Sequence, residues 1–241
     1  MQKNKSGSYY RLKLKNREIF FTARPGTTDG NIIRINFFRG SELYVAPSAI
    51  DPEVIFDVGA HIGVVSVYYS VMYPRAKIYA FEPFPGNFNL LKINAASNSD
   101  KIIPIQKGIG NKEGRFTYYF SDNPSNFGGG TFKNIGCDRR KKFRFPVTTI
   151  KKFIREEKIK KIDILKVDTE GMEFDIITNI PTDILKKIKL IVGECHGIKD
   201  LELFLYLSKF FNLGFNKEYD RRCFNFIAVN KQILKRKNDN R

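Results

Sequence analysis

The stretch "EVIFDVGAHIG", Glu53 to Gly63, is a nearly unbroken apolar run that reaches an acid, Asp57, and then turns on two glycines. A strand with one wet face would alternate polar and apolar residues, whereas a run apolar on both faces suits a parallel strand covered by helices on each side. The next segment, "IGVVSVYYSVMY" (62–73), is apolar almost all round, as a helix pressed between a sheet and its neighbours must be. Gly59 and Gly63 let the backbone turn sharply and approach a ligand, and the helix that follows offers unpaired N–H groups. Asp57 at the strand end could pair with a ligand ammonium group. A tight turn without a ligand is the plain alternative, because strand-to-helix turns of this kind are widespread.

Downstream, the strand–helix unit repeats. "AKIYAFE" (76–82) reads as a strand, "PGNFNLLKINAASN" (85–98) as a helix with Phe88, Leu91 and Ala95 on one face, and "KIIPIQKGI" (101–109) as a strand. "GRFTYYF" (114–120) reads as an inserted hairpin, and the glycine-rich "SDNPSNFGGGTF" (121–132) as a candidate lid. The alternation resumes with helix "TTIKKFIREEK", strand "IDILKVD", a helix from about Glu170, strand "KLIVGE", helix "LELFLYLSKFF" and strand "FNFIAVN". Such alternation predicts an α/β fold, a mostly parallel, doubly wound sheet. Before it, "SYYRLKL", "REIFFTA" and "NIIRINFF" are separated by turn signals at Pro25-Gly26 and Asp29-Gly30, and read as a small β extension. The expected organisation is an extension over 1–50, the main domain over 51–231 and a basic tail over 232–241.

Composition bounds what the chain can do. The chain has 241 residues with 42% hydrophobic content, 22 Phe and no Trp, which fits one folded domain or a domain with an extension. A net charge of +17 favours phosphate-rich or anionic partners and salt-sensitive binding. Cys137, Cys195 and Cys223 are far apart and form no zinc or disulfide pattern, so a reducing, cytoplasmic setting is expected. Neither a signal-like leader nor an apolar run approaching the roughly 20 residues of a membrane span is evident, and no membrane insertion is expected.

Glu82 closes its strand about 20 residues after the glycines, the spacing at which an acid takes ribose hydroxyls on a doubly wound sheet. "GAHIG" lacks the GxGxxG spacing, which weighs against NAD chemistry. At this point a resemblance is evident. "FDVGAHIGVVSVYYS", "IYAFEPFPGNFNLLKINAASN" and "DILKVDTEGMEFDII" resemble successive blocks of the FkbM family of S-adenosylmethionine-dependent methyltransferases, from about Glu53 to His196. "IQKGIGNKEGRF" resembles the segment after the family's third strand. The resemblance implies a Rossmann-like class I methyltransferase fold with S-adenosyl-L-methionine over the carboxyl ends of the strands. It implies that Asp57, Gly59, Ala60 and Gly63 line the methionine part and that Glu82 holds the ribose. Asn94 matches a usual polar position, Asn111 stands where many relatives carry an acid, and His61 stands where Asn is common and should stabilise the turn.

The stretch "KVDTEGMEFDII" (166–177) gathers four carboxylates in a basic protein. Asp168 ends a buried strand at the ligand-binding edge, and Asp168 and Glu170 should face cofactor and acceptor. Glu170 and Glu173 are three apart and would share one side of a helix, with Phe174 and Ile177 packing inward. Glu173 and Asp175 are equally well explained as acids in a first helical turn. On the next strand, "GECHG" alternates Glu194 and His196 toward Asp168 and turns Cys195 into the core. A positioned His196 can take the proton of a hydroxyl acceptor. A buried histidine satisfied by a carbonyl is the bland reading, and Asp168, Glu194 and His196 could instead hold a divalent metal, though none is expected. These features predict an O-methyltransferase acting on a hydroxyl of a small molecule or glycan. The charge and the run "RRKKFR" (139–144) keep RNA as an alternative acceptor, and a non-catalytic binding protein on the same scaffold as a third reading.

Overall fold

The computed structural model describes residues 3–4, 7–38, 46–47, 50–120, 130–131, 142–197, 199–216 and 224–233. Most of the candidate lid, Cys137, Arg139 to Lys141, Cys223 and the tail beyond 233 lie outside the described residues.

Strands β1 (Lys3–Asn4), β2 (Gly7–Leu14) and β3 (Arg17–Ala23) form an antiparallel sheet, followed by helix α1 (Asp29–Phe38). The expectation of a third strand over 31–38 is therefore corrected. Ile33 and Phe37, four apart, lie on one side of α1, where Phe37 meets Phe21 and Tyr68 edge-on.

The main unit follows as β4 (Val54–Val58), α2 (Val64–Met72), β5 (Lys77–Phe81), α3 (Pro85–Asn98) and β6 (Ile102–Ile105). Next come β7 (Gly108–Ile109), β8 (Gly114–Phe120), β9 (Gly130–Thr131) and β10 (Lys142–Thr148), which make a separate four-stranded sheet in the order β7-β10-β8-β9. The chain then returns through α4 (Ile150–Glu156), β11 (Ile164–Val167), α5 (Glu173–Thr178), α6 (Thr182–Leu185), β12 (Leu190–Cys195), α7 (Asp200–Leu207), β13 (Phe211–Asn216) and β14 (Phe224–Asn230). Helix α7 stops at Leu207, short of the expected Phe211. Phe211 instead opens β13 and pairs with Asn230, completing a terminal hairpin that the apolar run concealed.

The seven-stranded sheet has the order β13-β14-β12-β11-β4-β5-β6. Strands β12, β11, β4, β5 and β6 are parallel, and β14 runs antiparallel to β12. Alternate residues of each parallel strand enter opposite cores. Ile55, Ile78, Ile164 and Leu190 pack with α2 and α3, whereas Phe56, Tyr79, Leu165 and Ile191 join the cluster that contains Phe153, Ile177 and Leu203. Both faces are buried, as the unbroken apolar runs require.

The N-terminal hairpin shares the first of these cores through Ile19, Phe21 and Ala23. Its edge is closed by side chains of α3. Asn94 accepts from Thr22 N (2.8 Å) and donates to Thr22 O (3.1 Å) and Ile62 O (2.8 Å), and Asn98 pairs with both backbone groups of Phe20. Asn94 thus joins hairpin, helix and glycine turn. Replacing it with Ala leaves several buried backbone groups unpaired, and urea denaturation should record a loss of about 2–3 kcal/mol.

Candidate active site

Register sets the site. Val58 is matched with Phe81 and with Val167, and Val167 with Gly193, so these four residues form one row across the sheet. The next residue of each strand, Gly59, Glu82, Asp168 and Glu194, therefore falls along a common carboxyl edge. All four were expected at the ligand side of the sheet.

The turn after β4 is held from beneath. Gly59 N and Ala60 N both donate to Phe81 O (3.0 and 2.9 Å), and Gly63 N donates to Ala60 O at 2.8 Å. Gly59, His61 and Gly63 have φ values of 80°, 52° and 88°, a left-handed path that the two glycines tolerate and that His61 adopts at a cost. His61 N donates to Glu82 Oε2 (2.9 Å), tying the turn to the next strand. The His61 ring lies 3.3 Å from Arg24 Nη2, and Arg24 is clamped by two contacts of 2.8 Å on the buried Asp29. Burial, above all, pushes the His61 imidazole down to about 4, so the ring is neutral at physiological pH. Neither Arg24, just after β3, nor Asp29, which opens α1 and was legible only as part of a turn, could be linked to His61 from the sequence, because they meet it only once the N-terminal segment docks.

Asp57 departs from expectation. Its carboxylate is fully buried, accepts from Ser66 Oγ at 2.6 Å and lies 3.2 Å from Lys166 Nζ. The cation expected from a ligand ammonium is supplied by the chain itself. Lys166 is 2% exposed, donates to Gly59 O at 2.7 Å and sits 3.7 Å from Asp168 Oδ2. It is a supporting residue that the sequence reading missed, and its signal was an ammonium inside the apolar strand "IDILKVD".

Glu82 is buried and accepts from Phe84 N (2.8 Å) through Oε1 and from His61 N through Oε2. Burial, opposed by these bonds, pushes its carboxyl up to about 7. Asn87 contacts the carboxylate as well, and the acceptor capacity that is left fits a ribose hydroxyl. His61 Nδ1 is buried with no hydrogen-bond partner among the described residues, a further polar atom at the turn for a ligand to meet. Gly59, Ala60 and Gly63 form the turn itself. Asn94 lies behind it as a structural bridge, and Asn111 is exposed between β7 and β8.

The acidic stretch divides differently from expectation. Helix α5 starts only at Glu173, and Glu170 precedes it in a turn with φ 56°. The two glutamates therefore do not share a helical face; they flank His196 instead. Glu173 Oε1 lies 3.2 Å from His196 Nδ1, and Glu170 Oε2 lies 3.4 Å from Nε2. Glu173 is 1% exposed and also accepts from Thr169 N (2.8 Å), Thr169 Oγ1 (3.1 Å) and Gly171 N (3.2 Å), a buried partner rather than a solvated acid. Desolvation raises the Glu173 carboxyl, but the His196 and backbone contacts outweigh it and hold the group below its usual range. Burial lowers His196, yet the Glu173 bond and the charges of Glu173, Glu170 and Asp168 together lift it to about 9. Glu170 is pushed up to about 8 by burial and then by Asp168. One atom each of Asp168, Glu194 and His196 lies within 4.8 Å of the others, so the three converge as their strand positions required. Cys195 points into the core.

A parallel sheet with an antiparallel hairpin at one end, a glycine turn after its first strand and an acid closing its second define a Rossmann-like class I methyltransferase fold. The model of the "Methyltransferase FkbM domain" matches residues 57–222, and the chain belongs to this family of methyltransferases. The hexuronic acid methyltransferase AglP of Haloferax volcanii is 25% identical over 69% of this chain and 66% of its own. The 31-O-demethyl-FK506 methyltransferase FkbM of Streptomyces tacrolimicus is 25% identical over 61% of this chain and 66% of its own. The chain thus spans just under two thirds of the length of these relatives. Among solved structures, M. capricolum TrmK in complex with S-adenosyl-homocysteine superposes with a TM-score of 0.45 at 15% identity, covering 74% of this chain and 62% of that one. The strand order, not that likeness, carries the fold assignment. Among the described residues, no helix is long and apolar enough to cross a membrane.

Proposed function

We propose that the chain is an S-adenosyl-L-methionine-dependent O-methyltransferase acting on a hydroxyl of a glycan or small molecule. The carrying observation is the convergence of Asp168, Glu170, Glu194 and His196 on the carboxyl edge that also holds Gly59 and Glu82. When bound, the cofactor supplies an electrophilic methyl group on sulfur. The glycine turn and Glu82 would orient it, Glu82 by accepting from the ribose. Asp168, Glu170, Glu194 and His196 would receive the acceptor, and its hydroxyl proton would leave into this set of carboxylates and imidazole as the methyl arrives. The name of one relative, a hexuronic acid methyltransferase, favours a sugar-like acceptor, and that of another, a 31-O-demethyl-FK506 methyltransferase, a small-molecule hydroxyl.

Labelled cofactor offered with separate glycan, metabolite and RNA extracts tests the acceptor. Label in the glycan or metabolite fraction is expected. Label in RNA alone would favour the reading suggested by the +17 charge, and cofactor binding without any transfer would favour a non-catalytic scaffold.

The cofactor assignment has its own test by calorimetry with S-adenosylhomocysteine. Affinity should rise as pH passes through about 7, where Glu82 ionises. Glu82→Gln should flatten that profile and weaken binding about tenfold or more, since one charged hydrogen bond is worth about 1.5–3 kcal/mol. An unchanged affinity and profile would remove Glu82 from the site. The sign for stability is opposite. The folded state holds a proton on Glu82 that the unfolded chain releases near 4.5, so the ligand-free protein loses stability as pH rises from there through about 7.

A further inference from the structure

Asp168 and Glu194 each follow a matched residue on two paired parallel strands, and His196 comes two positions later. The donor set, one imidazole nitrogen and two carboxylate oxygens within 4.8 Å of one another, is suited to divalent cations such as Mn²⁺, through its carboxylates, or Zn²⁺, through both ligand types. A separate feature fixes which ring nitrogen faces this set. Glu173, outside the trio, lies 3.2 Å from His196 Nδ1 and is itself pinned by three donors from Thr169 and Gly171. A carboxylate only accepts, so Nδ1 carries the proton and Nε2 is turned to the acids, 3.9 Å from Asp168 Oδ1 and 3.4 Å from Glu170 Oε2. A divalent cation in this gap would replace a proton on Nε2 and take Asp168 and Glu194 as its other protein ligands. Lys166 approaches one of these acids, 3.7 Å from Asp168 Oδ2, but its ammonium is bonded to Gly59 O and paired with Asp57.

We propose that Asp168, Glu194 and His196 bind a divalent cation, with Glu173 as the positioning residue that holds Nε2 toward it. Carboxylate–histidine–metal arrangements of this kind fix the tautomer and orientation of the ring. The binding stands on geometry alone. Its role rests on the reading above and deepens it: the cation would hold the acceptor hydroxyl and ease loss of its proton.

The test is Mn²⁺ titrated into the full chain without cofactor, with free Mn²⁺ followed by electron paramagnetic resonance. One site per chain is expected. Asp168→Asn and Glu194→Gln should each weaken it about tenfold or more, and Glu173→Gln about 10–100-fold. A wild-type protein that leaves the free Mn²⁺ signal unchanged with metal in large excess overturns the proposal, leaving the histidine satisfied by a proton alone. Binding that persists unweakened in Asp168→Asn and Glu194→Gln overturns it as well. Calorimetry with S-adenosylhomocysteine on the same samples separates this failure from failure of the methyltransferase reading. Cofactor binding without Mn²⁺ binding rejects only the cation.

Discussion

Gly59→Ala should collapse the turn on which the proposed cofactor site is built. A Cβ there would lie 1.9 Å from the backbone oxygen of Asp168, and the residue sits at φ 80°. The left-handed conformation alone costs a non-glycine residue on the order of 1–3 kcal/mol. The clash adds to it, because the obstructing atom belongs to the neighbouring strand end and cannot rotate away. A total of about 3–5 kcal/mol is expected, which for a chain of this size lowers the melting temperature by roughly 6–20 °C. Scanning calorimetry measures it, and S-adenosylhomocysteine binding should vanish together with the native turn. A variant that melts within a degree or two of wild type would mean that the β4 and β11 ends do not approach as described. Gly63 is a useful contrast. Its Cβ would meet Leu91 Cδ1 at 2.7 Å, the end of a flexible side chain, so Gly63→Ala should be milder.

Lys166→Met should be comparably severe for an electrostatic reason. The ammonium is enclosed between Gly59 O and Asp57, and removing it leaves a fully buried carboxylate with only the Ser66 hydroxyl on one oxygen. Breaking a buried pair from one side costs about 3–5 kcal/mol, because the remaining charge keeps its desolvation penalty. Urea denaturation should show the midpoint fall with little change in slope. The double variant Asp57→Asn with Lys166→Met should lose clearly less than the sum of the two single losses, by about 1 kcal/mol or more. Strict additivity would show that the two groups do not compensate one another. Because Lys166 also reaches Asp168, this pair links the cofactor turn to the acidic edge, and a change on one side is felt on the other.

Local sequence carried much of the architecture. The both-faces-apolar runs at Val54–Val58, Lys77–Phe81 and Ile164–Val167 could be read as buried parallel strands because period and burial are properties of neighbouring residues. The place of Glu82, Asp168, Glu194 and His196 on one edge followed from strand ends in the same way. Reading failed where the apolar pattern fitted two structures. Residues 31–38 are aromatic and β-branched enough for a strand, and only packing of Ile33 and Phe37 against the hairpin and α2 makes them a helix. In "LELFLYLSKFF", Phe211 continues a helical pattern but is taken by β13, because pairing with β14 closes the sheet.

The site shows the same division. The sequence by itself determined that a glycine turn, an acid one strand away and a carboxylate–histidine cluster meet at the carboxyl edge of a doubly wound sheet, since strand order and residue parity place them there. The tertiary structure alone decided which charges serve the site and which hold it up. Asp57, expected to face a ligand, is neutralised by Lys166. Glu173, equally readable as a solvated acid, is buried against His196, and Glu170 leaves the helix to approach that ring from its other side. Arg24 and Asp29 reach His61 from the N-terminal segment between β3 and α1, far away along the chain. The physical reason is range: hydrophobic periodicity is written between neighbours, whereas the pairing of buried charges depends on which strands and turns come within a few ångströms after folding.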